Sequence, residues 1–502
     1  MVKRVFWGVM ILVIFLVGCT RSTKNQEPYQ LVLNTPMLPG TPMPISTPFM
    51  PVTRSPDQPI LTPTPNPPRV MPTLRSEPET YVVQYNDSLS QIARQYGIDL
   101  NLLLSANEIN NPNLLAVGQA LYIPAPDLSL QPSTFKIIPD SELVYGPASV
   151  GFDLPGFLTH FDGRLSQMKY VDEVILRAAQ DYSVNPRLLL LLLEYQTGWL
   201  RGERIDLNAP IPTEEMENAD GRLDAWKNGL FSVVSGIANR LNWGYYLWRA
   251  EALGYFILQD GTYIPAGATI NAGTAAVQYW AAAVFGKEDW NWAVSEDGIF
   301  ALYNQFYGYP FDFGVEPLIP ENLTQPAFLL PLEANVPWSF TGGPHSAWGD
   351  GAAWAALDFA PTGNVGCAAA GEQVTAVADG KILRVGDGAV IQDLDGDGFE
   401  QTGWVILYMH ISSWDRVEAG TYVRAGEKIG HPSCEGGIST GTHLHIARRY
   451  NGEWISAGGA LPFTLSGYTA RSSGVHYNGY LEKNGIYVEA WDRYRPESVV
   501  VR

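Results

Sequence analysis

Seven histidines occur in 502 residues, and five of them, His345, His410, His431, His443 and His445, fall within one stretch of about a hundred. Three local patterns hold the chemistry. GGPHSAWGDGAAWAALDFAP contains His345 and Asp358, WVILYMHIS ends a strand-like run at His410, and STGTHLHIA contains His443 and His445. Side chains alternate along a strand, so His443 and His445 point the same way while Leu444 and Ile446 point into a core. The same alternation groups Ile406, Tyr408 and His410 on one face, and an antiparallel sheet is expected to bring that third imidazole into the same groove. Asp358 sits in a further short strand, LDFA, and supplies negative charge. Imidazoles aimed into one groove need a metal, a substrate or one another. Zinc with two neutral imidazoles and one carboxylate keeps a net positive charge and an open position for water, whose pKa falls toward about 7. The ion would also polarise a scissile carbonyl. No HExxH occurs, so a helix-borne Glu is not the general base, and the remaining histidines must do that work.

These residues resemble the lysostaphin-like and β-lytic zinc endopeptidases of bacterial cell walls. The resemblance covers roughly 335–460 and includes the turn-rich VTAVADGKILRVGDG. It implies that His345, Asp358 and His445 bind Zn2+, and that His410 and His443 serve as general base and oxyanion stabiliser, without saying which does which. It also implies a peptidoglycan substrate, cut at peptide bonds of the stem or cross-bridge. Many members place the first His closer to the Asp; the GDGAAWAA insertion here is similar to the β-lytic branch and puts His345 in a loop. A catalytically silent peptidoglycan-binding scaffold or activator is the alternative reading of the same residues. His431 precedes Pro432 and is expected to be structural or groove-lining, while His160 and His476 are isolated. DLDGDGFEQTG, 393–403, imitates a calcium loop, but Trp404 stands where a bidentate Glu should, so it reads as an acidic hairpin tip.

Asp+Glu 51 against Lys+Arg 32 gives a net charge of −19, which excludes nucleic acid as a partner because phosphate contacts need basic patches. Lys3 and Arg4 precede an apolar run, Val5 to Val17, too short to span a bilayer comfortably. The run ends in Leu16-Val17-Gly18-Cys19, which resembles a bacterial lipobox. That resemblance implies a signal peptide over 1–19, lipidation of Cys19, and an extracytoplasmic protein held to the membrane by its acyl chains. The other two cysteines, Cys367 and Cys434, form an even pair in an oxidising compartment. They are expected to form a disulfide, worth roughly 4 kcal/mol by the chain-entropy argument. Residues 20–79 hold fifteen of the 37 prolines and read as a disordered tether that lifts the folded domains away from the membrane.

The elements that must position this chemistry form a multidomain chain. Residues 80–124 pattern as strand, helix, helix and strand, with Asp87-Ser88 offering a helix N-cap. This resembles the LysM module, a small α/β unit, and implies glycan binding through Asn86, Asp87, Ser88, Leu89 and the loop from Asn107. Residues 126–325 are mainly helical. LLLLLLEYQTGW is apolar all round and predicts a buried helix, opened by Asn185-Pro186. YSVNPRLLLLLLEYQTGWL resembles the start of lysozyme-like lytic transglycosylases, but Gln196-Thr197 stand where that family has its Glu–Ser. An amide cannot protonate a leaving oxygen, and Glu194 lies about 200° away around the helix, so this domain is expected to be non-catalytic. Residues 335–460 are expected to be mainly antiparallel β, and 461–502 a β extension carrying no identified chemistry.

Overall fold

The computed structural model describes residues 62–502 apart from 72–74, 76, 85–86, 97, 99, 110, 112–114, 126–130, 203–228, 364–365 and 369. Cys19, most of the tether and Asn86 therefore lie outside the described residues. No helix among the described residues is long and apolar enough to cross a membrane.

The first unit pairs strands Glu79–Val82 and Ala120–Ile123 antiparallel, with helices Leu89–Tyr96 and Leu100–Ala106 between them. Leu89, Ile92, Ala93, Leu103, Leu121 and Ile123 form its core. Three residues expected to touch glycan also have structural work. Leu89 is buried in that core. The Asp87 carboxylate accepts from the Tyr81 hydroxyl and the Gln84 N–H, which holds the turn before the helix. The Asn107 amide donates to the Leu103 and Tyr122 carbonyls and accepts from the Tyr122 N–H, tying the second helix to the second strand.

The middle region is helical, with Val171–Tyr182, Pro186–Thr197, Leu230–Arg249 and Ala272–Val284 around one core. Asn185 caps the second of these by accepting from the Arg187 N–H, and Leu188 through Leu193 are all fully buried, as an all-round apolar helix requires. Glu194 is also fully buried. Its carboxylate accepts from the Leu200 N–H and from Arg201 Nε, both at 2.7 Å, and so fastens the turn beyond the helix.

The C-terminal region is built on a nine-stranded sheet in which every paired strand is antiparallel. Gly380–Gly386, Ala389–Asp393, Trp404–Met409, Leu444–Tyr450, Ala356–Pro361 and Trp338–His345 lie side by side in that order. One face buries Phe340, Leu357, Phe359, Ile406, Tyr408, Leu444 and Ile446. The opposite face buries Ile391, Val405, Leu407, Met409 and Ala447, with Tyr246 of the helical region packed against it. Residues 461–502 are no appendage. Phe463, Leu465, Ala470, Leu481 and Val488 join the first core, and Val499–Val500 returns to pair with Trp338–His345.

Polar contacts lock the helical and β regions together. Arg249 makes a bidentate pair with Glu453, which also accepts from the Tyr245 hydroxyl. Arg449 bonds both Glu400 and the Ser183 hydroxyl, and Ser183 donates to the Gly452 carbonyl at 2.6 Å.

The acidic hairpin tip follows strand Ala389–Asp393. Asp393 is fully buried and accepts from the N–H groups of Asp395, Gly396 and Gly398. Burial, then Asp395 and Asp397, pushes its carboxyl up to about 8. In the unfolded chain it ionises near ~4, so the folded state holds an extra proton between those values and stability falls as pH rises from about 4 to about 8. Asp395→Asn is expected to flatten that slope in denaturant titrations run across this range; an unchanged slope would refute the assignment.

Candidate metal centre

Strand register brings the site together. His445 stands directly opposite Asp358 on one side and Met409 on the other, so all three project from one face. Asp358 is opposite Gly342 in the next strand, where a Cβ would come within 2.5 Å of Asp358 Oδ2. Glycine there leaves room for the carboxylate. A register shift between Gly342 and His345 then turns His345 toward the same point. His345 is thus the last residue of a strand rather than part of the loop expected from the insertion.

His345 Nε2 and His445 Nδ1 each lie 3.2 Å from Asp358 Oδ1 and 3.0 Å from one another. The three residues offer ligand atoms that all fall within 4.8 Å, and all three are buried. The outer nitrogens are committed: His345 Nδ1 bonds the Gly343 carbonyl at 2.8 Å, and His445 Nε2 the Ala347 carbonyl at 3.0 Å. A carbonyl only accepts, so the protons sit on the outer nitrogens and two inner lone pairs converge on a carboxylate oxygen that has no hydrogen-bond partner. This donor set fits a zinc ion, with the outer carbonyls setting tautomer and ring orientation.

His410 reaches the groove by a route that alternation did not foresee. Ile406 and Tyr408 lie in the core on the far face, whereas His445 shares its face with Met409 and Leu407. His410 follows the last paired residue and adopts the left-handed conformation, φ 65°, which redirects its ring. Its centroid lies 4.4 Å from that of His443 and 6.2 Å from that of His445. His410 Nδ1 bonds the Glu435 carbonyl and His443 Nδ1 the Gly441 carbonyl, leaving Nε2 as the acceptor on both rings. His443 Nε2 is 3.9 Å from Asp358 Oδ1. Cys367 and Cys434 are disulfide-bonded with Cα atoms 5.7 Å apart. The bridge joins the segment before His443 to the one whose Gly366 and Ala368 carbonyls hold Thr442.

Two neighbours escaped sequence reasoning. Tyr477, also left-handed at φ 65°, stacks on His345 with centroids 4.1 Å apart. His476 Nε2 accepts from the Ser346 N–H at 3.0 Å. Both occupy a turn between strands Tyr468–Ser472 and Gly479–Lys483, and no local pattern connects them with residues more than a hundred positions upstream. His431 is structural, its Nδ1 on the Glu372 carbonyl and its ring stacked under Trp414.

The buried cluster could hold a metal ion, with two further imidazoles beside it, a donor set that suits zinc. Family models match residues 81–124 as a LysM domain, 136–320 as the LasA N-terminal domain and 362–457 as peptidase family M23. The chain is a zinc metalloendopeptidase whose match to peptidase family M23 is confined to residues 362–457, beside these two further domains. The M23 match includes His410, His443 and His445 but begins beyond His345 and Asp358, which the sheet brings in. Protease LasA of Pseudomonas aeruginosa PAO1 is 26% identical over 359 residues, 66% of this chain and 77% of that protein. The N-acetylmuramoyl-L-alanine amidase XlyA of Bacillus subtilis is 40% identical over 59 residues, 12% of this chain and 20% of its own. Among solved structures, the M23 metalloprotease pseudoalterin is 25% identical over 34% of this chain and 96% of its own, with a TM-score of 0.27. The catalytic domain of lysostaphin from Staphylococcus simulans is 28% identical over 24% and 90%, with a TM-score of 0.19.

Burial, His443 and His445 lower His410 to about 3. Its unfolded value is near ~6.5, so this group's contribution to stability is lost as pH falls from about 6.5 toward about 3. Nitrogen-detected ring spectra of the full chain are expected to show His410 neutral from pH 5 to 8; titration within that window would refute the burial argument.

Proposed function

We propose that this chain hydrolyses peptide bonds in bacterial peptidoglycan, in the stem or the cross-bridge. The observation that carries the reading is the convergence of His345 Nε2, Asp358 Oδ1 and His445 Nδ1, which we assign as the zinc ligands, with His410 and His443 alongside. Zinc, when bound there, supplies a Lewis acid and a nucleophile available at neutral pH. The protein's own residues do the proton work. Nδ1–H of both His410 and His443 is committed to a carbonyl, so only Nε2 can take the proton lost by the attacking water and deliver it to the leaving amine. The depressed basicity of His410 favours His443 Nε2 for that transfer and leaves His410 Nε2 to orient the water.

The substrate class is supported by the company the peptidase keeps: a LysM domain in the same chain, and an N-acetylmuramoyl-L-alanine amidase among the proteins it resembles. Asp87 and Ser88 remain our candidates for the LysM glycan-facing loop. The helical domain is proposed as non-catalytic, since Gln196 offers no acid and the Glu194 carboxylate is engaged by Leu200 and Arg201. Lipidation at Cys19, with the Pro-rich segment as spacer, would hold the enzyme at the outer face of the membrane, where the disulfide is stable.

Mass spectrometry of muropeptides after digestion of purified wall tests this. New amino and carboxyl ends in the peptides are expected. His445→Ala and Asp358→Ala should each lower their release by more than the roughly 100-fold that loss of an outer-shell partner can cost. Chelation should abolish release and added zinc restore it. Sugar-end products that persist in His445→Ala would instead make the helical domain a muramidase. No cleavage by a zinc-loaded chain would leave the silent scaffold.

A further inference from the structure

We propose that Asn239, in the helical domain, is a positioning residue for the zinc site of the peptidase domain. The inference rests on the ligand assignment above. The connection runs through the loop 346–355, which joins His345 to the strand carrying Asp358. The Ala347 carbonyl in this loop accepts from His445 Nε2 at 3.0 Å, and so holds the proton on that nitrogen and turns Nδ1 toward Asp358. The Ala347 N–H closes the loop on itself by donating to the Ala353 carbonyl at 3.1 Å.

The tip of the loop is docked on helix Leu230–Arg249. Asn239 Nδ2 donates to Asp350 Oδ1 at 2.5 Å, and Asn239 Oδ1 accepts from the Gly351 N–H at 2.9 Å. One side-chain amide thus grips two consecutive loop residues. Two glycines permit the approach. Gly349 has φ +60°, and a Cβ there would stand 2.6 Å from Asn239 Oδ1 and 3.0 Å from Tyr182; a Cβ at Gly351 would collide with the Asn239 carbonyl and lie 2.9 Å from Trp243. Contact therefore passes from Asn239 to Asp350 and Gly351, along the loop to Ala347, and from its carbonyl to the His445 ring. Releasing the tip lets that carbonyl drift and leaves the imidazole less well aimed. The helical domain then serves as a fixed outer support for the metal site.

The test measures zinc affinity of the full chain by competition with a chromophoric chelator, and records the visible spectrum of the cobalt-substituted protein. Asn239→Ala is expected to weaken zinc about tenfold, the low end for an outer-shell partner, and to alter the cobalt bands. Gly351→Ala should do the same by forcing the tip away. The paired exchange Asn239→Asp with Asp350→Asn keeps both hydrogen bonds, the side-chain one with donor and acceptor swapped and the other still donated by the Gly351 N–H, and should restore affinity. Arg249→Gln breaks an interdomain pair away from the loop; it should lower the unfolding temperature yet leave zinc affinity within about twofold. The inference is overturned if Asn239→Ala binds zinc as wild type does, or if Arg249→Gln weakens zinc as much. Should Asn239→Ala fail to fold, Gly351→Ala and the exchange decide between the same outcomes. A wild-type chain that holds no zinc would refute the ligand assignment itself.

Discussion

A carboxylate buried between imidazoles is the constraint around which this domain is arranged. Asp358 is 6% exposed, and one of its oxygens faces two ring nitrogens with no donor to satisfy it. Burying a charge without a partner costs several kcal/mol even after relaxation. A cation at that point offsets the cost, and each local peculiarity of the sheet serves the same convergence. Gly342 opens space for the carboxylate, the register shift before His345 turns that ring inward, and backbone carbonyls fix which nitrogens face the centre. The price is a strained backbone at His410 and Tyr477, both non-glycine residues in the left-handed region.

The helical domain packs on the same sheet face from which His445 projects. Met409, Leu407 and Ala447 lie beneath that face and are covered in part by Tyr246, while Arg449, Glu400 and Glu453 are buried in polar links between the two regions. The helical region thus has an evident structural use. The LysM unit has a separate core, and as a linked second site it would raise the local concentration of peptidase on an insoluble polymer.

Much of this was legible in the residue order, for reasons that are local. Period-two alternation placed His443 and His445 together because strand geometry is set by the backbone alone. The uninterrupted leucines predicted a buried helix, and two cysteines in an oxidising compartment predicted a bridge. The LysM pattern located the module, but not the duties of Asp87, Leu89 and Asn107, whose side chains close its turn, its core and its helix–strand tie.

By itself the sequence determined which groups are available: five histidines and an aspartate in one region, their alternation on short strands, and a domain order in which each unit has its own hydrophobic pattern. Only the tertiary structure decided which of those groups meet. His410 stands in the groove where it was expected, but strict alternation would have left it with Ile406 and Tyr408 on the far face; a single left-handed φ turns the side chain without any mark in composition. Tyr477 and His476 arrive from the last strands, and Asn239 from another domain, because sheet closure and domain docking depend on contacts separated by a hundred residues or more. Such pairings are selected by the summed burial of two cores, a quantity no local window of residues contains.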